Sequence, residues 1–261
     1  MQTRNIVALG LFGIFYVVFG VYLTLNQARV VYYPNNQDFY DCPALREASM
    51  VVASGTRLYT NVLAGQPTAV LYHGNAGSAC DRAVYARLFT AAGYGYVLVE
   101  YAGYSNDPLP PSHARIKQDV RHVIDWLAEQ GITASDTVVV GESIGTGVAA
   151  YHTQLAPPAS LVLIAPFTSL VAVARTRFWF YPTTIMVDNA FDNVTALKGY
   201  AGRTLIIHGE QDNIIPYALG QQLFDSLESE KTFQTITGAG HNDLFLHTKT
   251  YTAISEFLKQ P

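Results

Sequence analysis

The run Thr137-Val138-Val139-Val140, the pentapeptide Gly141-Glu142-Ser143-Ile144-Gly145 and the small-residue stretch Thr146 to Leu155 leave few folds open to this chain. They read as a strand, a sharp turn and a helix, with a serine at the tip of the turn. Such a turn is strained. Gly141 and Gly145 let strand and helix approach closely, and Ser143 is pushed outward. Taken alone, the pentapeptide is also compatible with an ordinary strand-to-helix turn of a parallel sheet.

The same alternation recurs along the chain. Short apolar runs, Met50-Ala53, Leu58-Val62, Ala69-Tyr72, Tyr96-Glu100, Thr137-Val140, Leu161-Ala165, Thr204-His208 and Thr232-Ile236, predict strands, the first two as a hairpin. Amphipathic stretches between them predict helices covering a mostly parallel sheet. The clearest is Ser112 to Gln130, where Ile116, Val120, Val123, Ile124 and Leu127 share one face of a 3.6-residue period and Gly131 supplies the stop. Pro216 to Leu227 and Asp243 to Leu258 read as the last two helices. The segment at about 168–200 is too long for a simple crossover. Its aromatic and apolar residues fit either a small lid over the site or plain packing on the helices. Phe167 at its threshold, with Trp179 and Met186 within it, are the candidate substrate contacts.

Ile6 to Leu25 is an uncharged run of 20 residues. As a helix it rises about 30 Å, the thickness of a bilayer's hydrocarbon core. An uncleaved transmembrane anchor over 1–28, a juxtamembrane segment over 29–48 and a catalytic domain over 49–261 are the expected organisation. A cleaved signal or a buried core helix are the other readings, and Asn26-Gln27-Ala28 is a poor cleavage site. Arg4 and the α-amine before the span, against Arg29 after it, favour an extracytoplasmic catalytic domain. There, Cys42 and Cys80 would either pair as a disulfide or stand as two buried thiols. Asn193-Val194-Thr195 is a glycosylation acceptor if the source is eukaryotic and the domain lumenal.

A serine needs a histidine to take its proton and a carboxylate to orient that histidine. Asp212, in the loop His208-Gly209-Glu210-Gln211-Asp212 after a strand, and His241, in Gly240-His241-Asn242-Asp243 after the last strand, follow Ser143 in the order Ser, Asp, His. That order differs from those of other serine-protease folds. Glu210, Asp243 and Asp192 compete for the acid's role, and Glu142 reads as an elbow or rim residue. His113, His122, His152, His208 and His247 read as structural. Two backbone N–H groups should receive the oxyanion: Ile144, after the nucleophile, and Asn75 or, second, Ala76, in the loop His73-Gly74-Asn75-Ala76-Gly77. His73 reads as an organiser of that loop. With 49% hydrophobic residues, 12% aromatic residues and a net charge of −4, the chain is globular and has no nucleic-acid partner. Its histidines and cysteines lack the spacing of a zinc site.

These motifs together, with Ala165-Pro166-Phe167-Thr168-Ser169-Leu170 and Ile215-Pro216, resemble those of the α/β-hydrolase superfamily. More narrowly, the chain resembles its single-domain, membrane-anchored serine hydrolases, over roughly Ser49 to Leu258. It departs at Tyr101-Ala102-Gly103-Tyr104-Ser105, where relatives often carry an arginine before the glycine. The resemblance implies an α/β-hydrolase fold: a mostly parallel central sheet with helices on both faces and a small lid, preceded here by the transmembrane helix. It also implies cleavage of an ester, thioester or amide through an acyl-enzyme on Ser143, with His241 as base, Asp212 as its orienter and no metal or organic cofactor. An anchor and an apolar lid together suit a lipid-like acyl substrate. The rivals are an amide or peptide hydrolase of the serine aminopeptidase type, perhydrolysis or halogenation on the same triad, and a non-catalytic membrane-tethered binding module.

Overall fold

The computed structural model describes residues 2–188 and 191–260, without the side chains of residues 2–4, 6 and 8. Helix α1 (Gln2–Leu25) leads into α2 (Gln27–Val31) and a two-residue strand, β1 (Tyr33–Pro34). The hairpin β2 (Ser49–Ala53) and β3 (Thr56–Asn61) opens the main sheet. It continues with β4 (Thr68–Tyr72), then the short β5 (Ala76–Gly77), α3 (Ala83–Ala91), β6 (Gly95–Glu100), α4 (His113–Glu129), β7 (Thr137–Glu142), α5 (Gly145–Leu155) and β8 (Ser160–Ile164). The segment 168–200 carries α6 (Leu170–Arg177), α7 (Thr183–Met186) and α8 (Asn193–Ala196). The chain closes with β9 (Arg203–Gly209), α9 (Tyr217–Ser226), β10 (Lys231–Ile236) and α10 (Thr248–Lys259).

The eight-stranded sheet runs in the order β10-β9-β8-β7-β4-β6-β3-β2, parallel except where β3 pairs antiparallel with both β6 and β2. Strands β4, β7 and β8 are buried on both faces, as parallel strands covered by helices must be. One core packs α4, α5 and α9 against the sheet through Val120, Val148 and Leu223; the other packs α3 and α10 through Phe89 and Phe257. Helix α4 starts where the Ser112 hydroxyl accepts the Arg115 N–H and stops before Gly131, whose φ is +75°.

Two local expectations change and an open one is decided. The last helix begins at Thr248, not Asp243, because the Asp243 carboxylate accepts the Gly240 N–H and the next residues form a 3-10 turn, Leu244–Leu246. Asn193 is fully buried and donates from its side chain to Thr146 Oγ1, which leaves no room for a glycan. The two cysteines, for which both states were open, form a disulfide, Cys42–Cys80, with Cα atoms 5.8 Å apart. This bond fastens the segment before β2, with Phe39 and Leu45 buried beneath it, to the 3-10 turn before α3. It closes a loop with a sequence separation of 38, for which chain entropy assigns about 4 kcal/mol. Replacing both cysteines with serine should therefore lower the denaturant midpoint by that amount of stability. An unchanged midpoint would mean the segment is held by packing alone.

The transmembrane anchor expected over Ile6 to Leu25 finds no support in the structure. Among the described residues, no helix is long and apolar enough to cross a membrane. Helix α1 does form, over Gln2–Leu25. Arg4, Ile6 and Ala8 have side chains outside the described residues. Along the described part, Leu9, Phe12, Ile14, Phe15 and Val18 are exposed.

Candidate active site

The site is assembled at the carboxyl ends of the parallel strands, where an open α/β sheet leaves room for a ligand. Ser143 follows β7 with φ +54°, a left-handed conformation rare outside glycine. Its N–H is held by the Ile164 carbonyl at 2.8 Å, and its own carbonyl accepts from Thr146 N and Thr146 Oγ1. The flanking glycines are sterically required. A Cβ at Gly145 would collide with the Tyr72 carbonyl oxygen, and one at Gly141 would lie 2.7 Å from Thr146 Cα. The strained turn thus holds the serine proud of the sheet.

Asp212 and His241 converge on it from β9 and β10. His241 Nε2 lies 2.8 Å from Ser143 Oγ, and His241 Nδ1 lies 2.7 Å from Asp212 Oδ2. Asp212 Oδ1 accepts the backbone N–H groups of Ile214 and Ile215 at 2.9 and 2.8 Å. Burial by itself would raise the Asp212 carboxyl. Hydrogen bonds from His208 and His241 and the Ile215 N–H outweigh it and hold the group far below the ordinary carboxylate range. His208, read from sequence as structural, is therefore a second partner of the acid, its Nε2 3.3 Å from Oδ2. Nothing in the local sequence distinguishes it, because a histidine ending a buried strand looks the same whether or not it faces a carboxylate. Glu210 and Asp243 point elsewhere: Glu210 accepts from Gly238 N and Asp243 from Gly240 N. Asp192 caps α8 through Thr195 N.

The loop after β4 faces the serine. The Asn75 carbonyl accepts from Tyr33 N at 2.9 Å and Tyr104 Oη at 2.7 Å, and its side chain donates to the Val31 carbonyl at 3.0 Å. The backbone N–H of Asn75, in the preceding peptide, has no acceptor among the described residues, and neither has the N–H of Ile144. Ala76 is drawn into the β1–β5 pairing. His73 is fully buried, stacked on Tyr101 at 4.0 Å, its Nε2 3.5 Å from Glu100 Oε1. The segment Tyr101–Ser105, which departs from the resemblance, is built into this support. Tyr101 Oη donates to the His73 carbonyl, and the Arg57 guanidinium donates to the carbonyls of Tyr104 and Ser105. An arginine from β3 thus reaches the loop that lacks one.

Ser143 stands between two cavities of unlike character. One, of about 510 Å3, is lined mainly by apolar side chains, among them Phe167, Leu170, Val173, Met186 and Ile215. The other, of about 270 Å3, carries Asp81, Arg82, Glu142, His241 and Asn242. Arg82 donates to both Glu142 oxygens, at 3.1 and 2.7 Å. Burial pushes the Glu142 carboxyl up, yet this arginine holds it below its ordinary value. Of the candidate substrate contacts, Phe167 and Met186 line the apolar cavity and Trp179 does not. Trp179 is 77% exposed and edge-on to Phe180, whose carbonyl accepts from Tyr16 Oη. That contact turns the segment to the outside of α1, and Phe178 and Tyr181 face the cavity instead. The far wall was not anticipated from sequence: Leu23, Thr24 and Gln27 of the supposed anchor and its exit, with Val30 and Val31.

No family model matches the chain. It is 29% identical over 233 residues to the uncharacterized protein Rv2307c of Mycobacterium tuberculosis, covering 85% of this chain and 83% of that one. It is also 29% identical over 198 residues to the lysophosphatidylserine lipase ABHD12 of Mus musculus, covering 67% of this chain, and it spans only about half (49%) of that relative's length. Among solved structures, a thermophilic esterase of Thermogutta terrifontis with bound propionate superposes with a TM-score of 0.66 at 18% identity. The match covers 83% of this chain and 95% of the other.

Proposed function

We propose that this chain, an α/β-hydrolase by fold, is a membrane-tethered serine hydrolase that releases a single acyl chain from the ester or thioester of a polar alcohol or thiol. The observation that carries the reading is the position of Ser143 at the junction of a large apolar cavity and a small charged one. An acyl group suits the first. The Arg82–Glu142 pair offers a polar leaving group a cation and a carboxylate in the second.

In this reading His241 Nε2 takes the Ser143 proton as Oγ attacks the acyl carbon, and Asp212 stabilises the imidazolium that forms. The N–H groups of Asn75 and Ile144 receive the developing oxyanion. His241 then protonates the leaving oxygen or sulfur, and the carbon–heteroatom bond breaks to leave the acyl-enzyme. Water enters, His241 takes its proton, and the acid leaves as Oγ regains a proton. Tyr104 acts as a positioning residue, since its hydroxyl holds the carbonyl of Asn75, the residue whose N–H receives the oxyanion.

Membrane tethering rests on the uncharged run and on the exposed apolar side chains of α1. The disulfide supports an extracytoplasmic domain, since such bonds persist in oxidising compartments. The similarity to a lysophosphatidylserine lipase supports an ester of one acyl chain with a charged headgroup.

The test is a chain-length series of p-nitrophenyl esters. A buried methylene contributes about 0.8 kcal/mol, so kcat/KM should climb roughly fourfold per added methylene until the cavity is filled. A profile flat from acetate upward would remove the acyl-chain reading. Faster turnover of aminoacyl amides than of esters in the same panel would assign the site to amide bonds instead.

A further inference from the structure

Beneath the oxyanion loop lie a buried carboxyl and a buried imidazole that no step of the proposed hydrolysis uses. Strands β4 and β6 run parallel with Tyr72 opposite Val99, so His73, which follows β4, meets Glu100, which ends β6. Both side chains are closed to solvent. His73 Nδ1 lies 2.7 Å from the Gly74 carbonyl oxygen. A carbonyl only accepts, so Nδ1 carries the proton of that bond. His73 Nε2 and Glu100 Oε1, 3.5 Å apart, have no other partner among the described residues. One proton between them satisfies both atoms, whether it rests on the imidazole or on the carboxyl, and in either form Nδ1–H stays on Gly74. The pair is braced from outside. Glu100 Oε2 accepts the Ala79 N–H at 3.1 Å, and the imidazole stacks on Tyr101 and stands edge-on to Tyr104.

We infer that His73 is a positioning residue for the oxyanion: from behind, it aims the peptide whose N–H receives the charge, and Glu100 keeps the imidazole in place. The inference rests on the serine-hydrolase reading of Ser143. The Gly74 carbonyl and the Asn75 N–H belong to one peptide unit. That unit is planar and trans, so its N–H points opposite to its carbonyl, and a bond that fixes one end aims the other. The neighbouring peptides are held by different groups. Tyr101 Oη donates to the His73 carbonyl at 2.8 Å, while Tyr33 N and Tyr104 Oη donate to the Asn75 carbonyl. Among the described residues, the carbonyl of the middle peptide is held by His73. A carbonyl that accepts a hydrogen bond also polarises the N–H of its own peptide, since bonds in a chain strengthen one another. The donor to the oxyanion is thus both aimed and strengthened by an imidazole that never touches the substrate.

The test begins with the full wild-type chain in detergent micelles, its histidines isotopically labelled for NMR, with and without an octyl trifluoromethyl ketone. Ser143 Oγ bonds to the ketone carbon, its proton passes to His241, and the former carbonyl oxygen becomes the anion to be held. His73 should show a proton on Nδ1, and that resonance should shift when the adduct forms, because the oxyanion draws on the same peptide. An Nδ1 without a proton, or a resonance that the adduct leaves unmoved, would overturn the inference. Absence of the adduct together with absence of ester turnover would instead remove the reading beneath it. The kinetic arm compares His73→Leu with His73→Asn. Leucine removes the donor, so kcat should fall about a hundredfold, the lower end of what losing one oxyanion donor costs, with KM within about twofold and the ketone bound more weakly in proportion. Asparagine returns an amide N–H to the place of Nδ1–H and should recover about tenfold of the loss. A folded leucine variant as fast as wild type, or a folded asparagine variant no faster than the leucine one, would show that His73 only fills space under the loop.

Discussion

Ser143→Ala should abolish fluorophosphonate labelling and lower ester turnover by about a million-fold, the loss seen when the nucleophile of a coupled triad is removed. The variant should still fold. Ser143 already sits at φ +54°, and alanine, like serine, carries one Cβ into that conformation, so the strain of the elbow is nearly unchanged. The hydroxyl lost is bonded to His241 Nε2 and to no other group among the described residues. Labelling retained by the alanine variant would take Ser143 out of the mechanism. A lowered denaturant midpoint with labelling lost would require the inactivity to be re-measured below the unfolding transition.

Asp212→Asn should lower kcat by about ten-thousand-fold while leaving the backbone in place. The carboxylate accepts from His241 Nδ1 at 2.7 Å. An asparagine that presents its amide to Nδ1 would favour the tautomer with the proton on Nε2, where it faces Ser143 and cannot take another. The same substitution should alter the acid limb of the stability curve. A carboxyl whose pKa is depressed in the folded state contributes stability above its unfolded value, about 3.9, and that contribution is lost as pH falls through the folded one. The wild type should therefore lose stability on acidification below about pH 4, and Asp212→Asn should show a shallower decline. Denaturant midpoints at pH 7 and pH 3 measure both. Parallel acid limbs would show that the paired carboxylate contributes nothing to the fold.

The main-sheet strands and the longest amphipathic helix were legible because their information is local. Alternating apolar runs and a one-faced period at Ile116 to Leu127 need no partner to be read. Ser143, Asp212 and His241 were legible for a related reason: each follows a strand, and a parallel sheet gathers its strand ends on one edge. The two-residue strands β1 and β5 escaped notice, since two residues carry no period. So did the support under Asn75, because Tyr33, Arg57 and Tyr104 come from three separated segments that meet only in the folded chain. Trp179 was misplaced by its character. Aromatic residues in a lid promise a lining, but the contact of Tyr16 with Phe180 turns Trp179 outward.

What the sequence by itself determined is the parallel sheet, the turn at Ser143 and the placing of Ser143, Asp212 and His241 after strands, all set by short-range pattern and strand sterics. What only the tertiary structure decided is which distant groups share a wall. The disulfide between Cys42 and Cys80, the second histidine on Asp212 and the apposition of α1 to the lid each depend on separations that no local period encodes. Helix α1 shows the reason most plainly. An uncharged apolar run states that its side chains avoid water, and the hydrophobic effect is non-directional, so the run alone does not state whether lipid, protein or a substrate's acyl chain will cover each face.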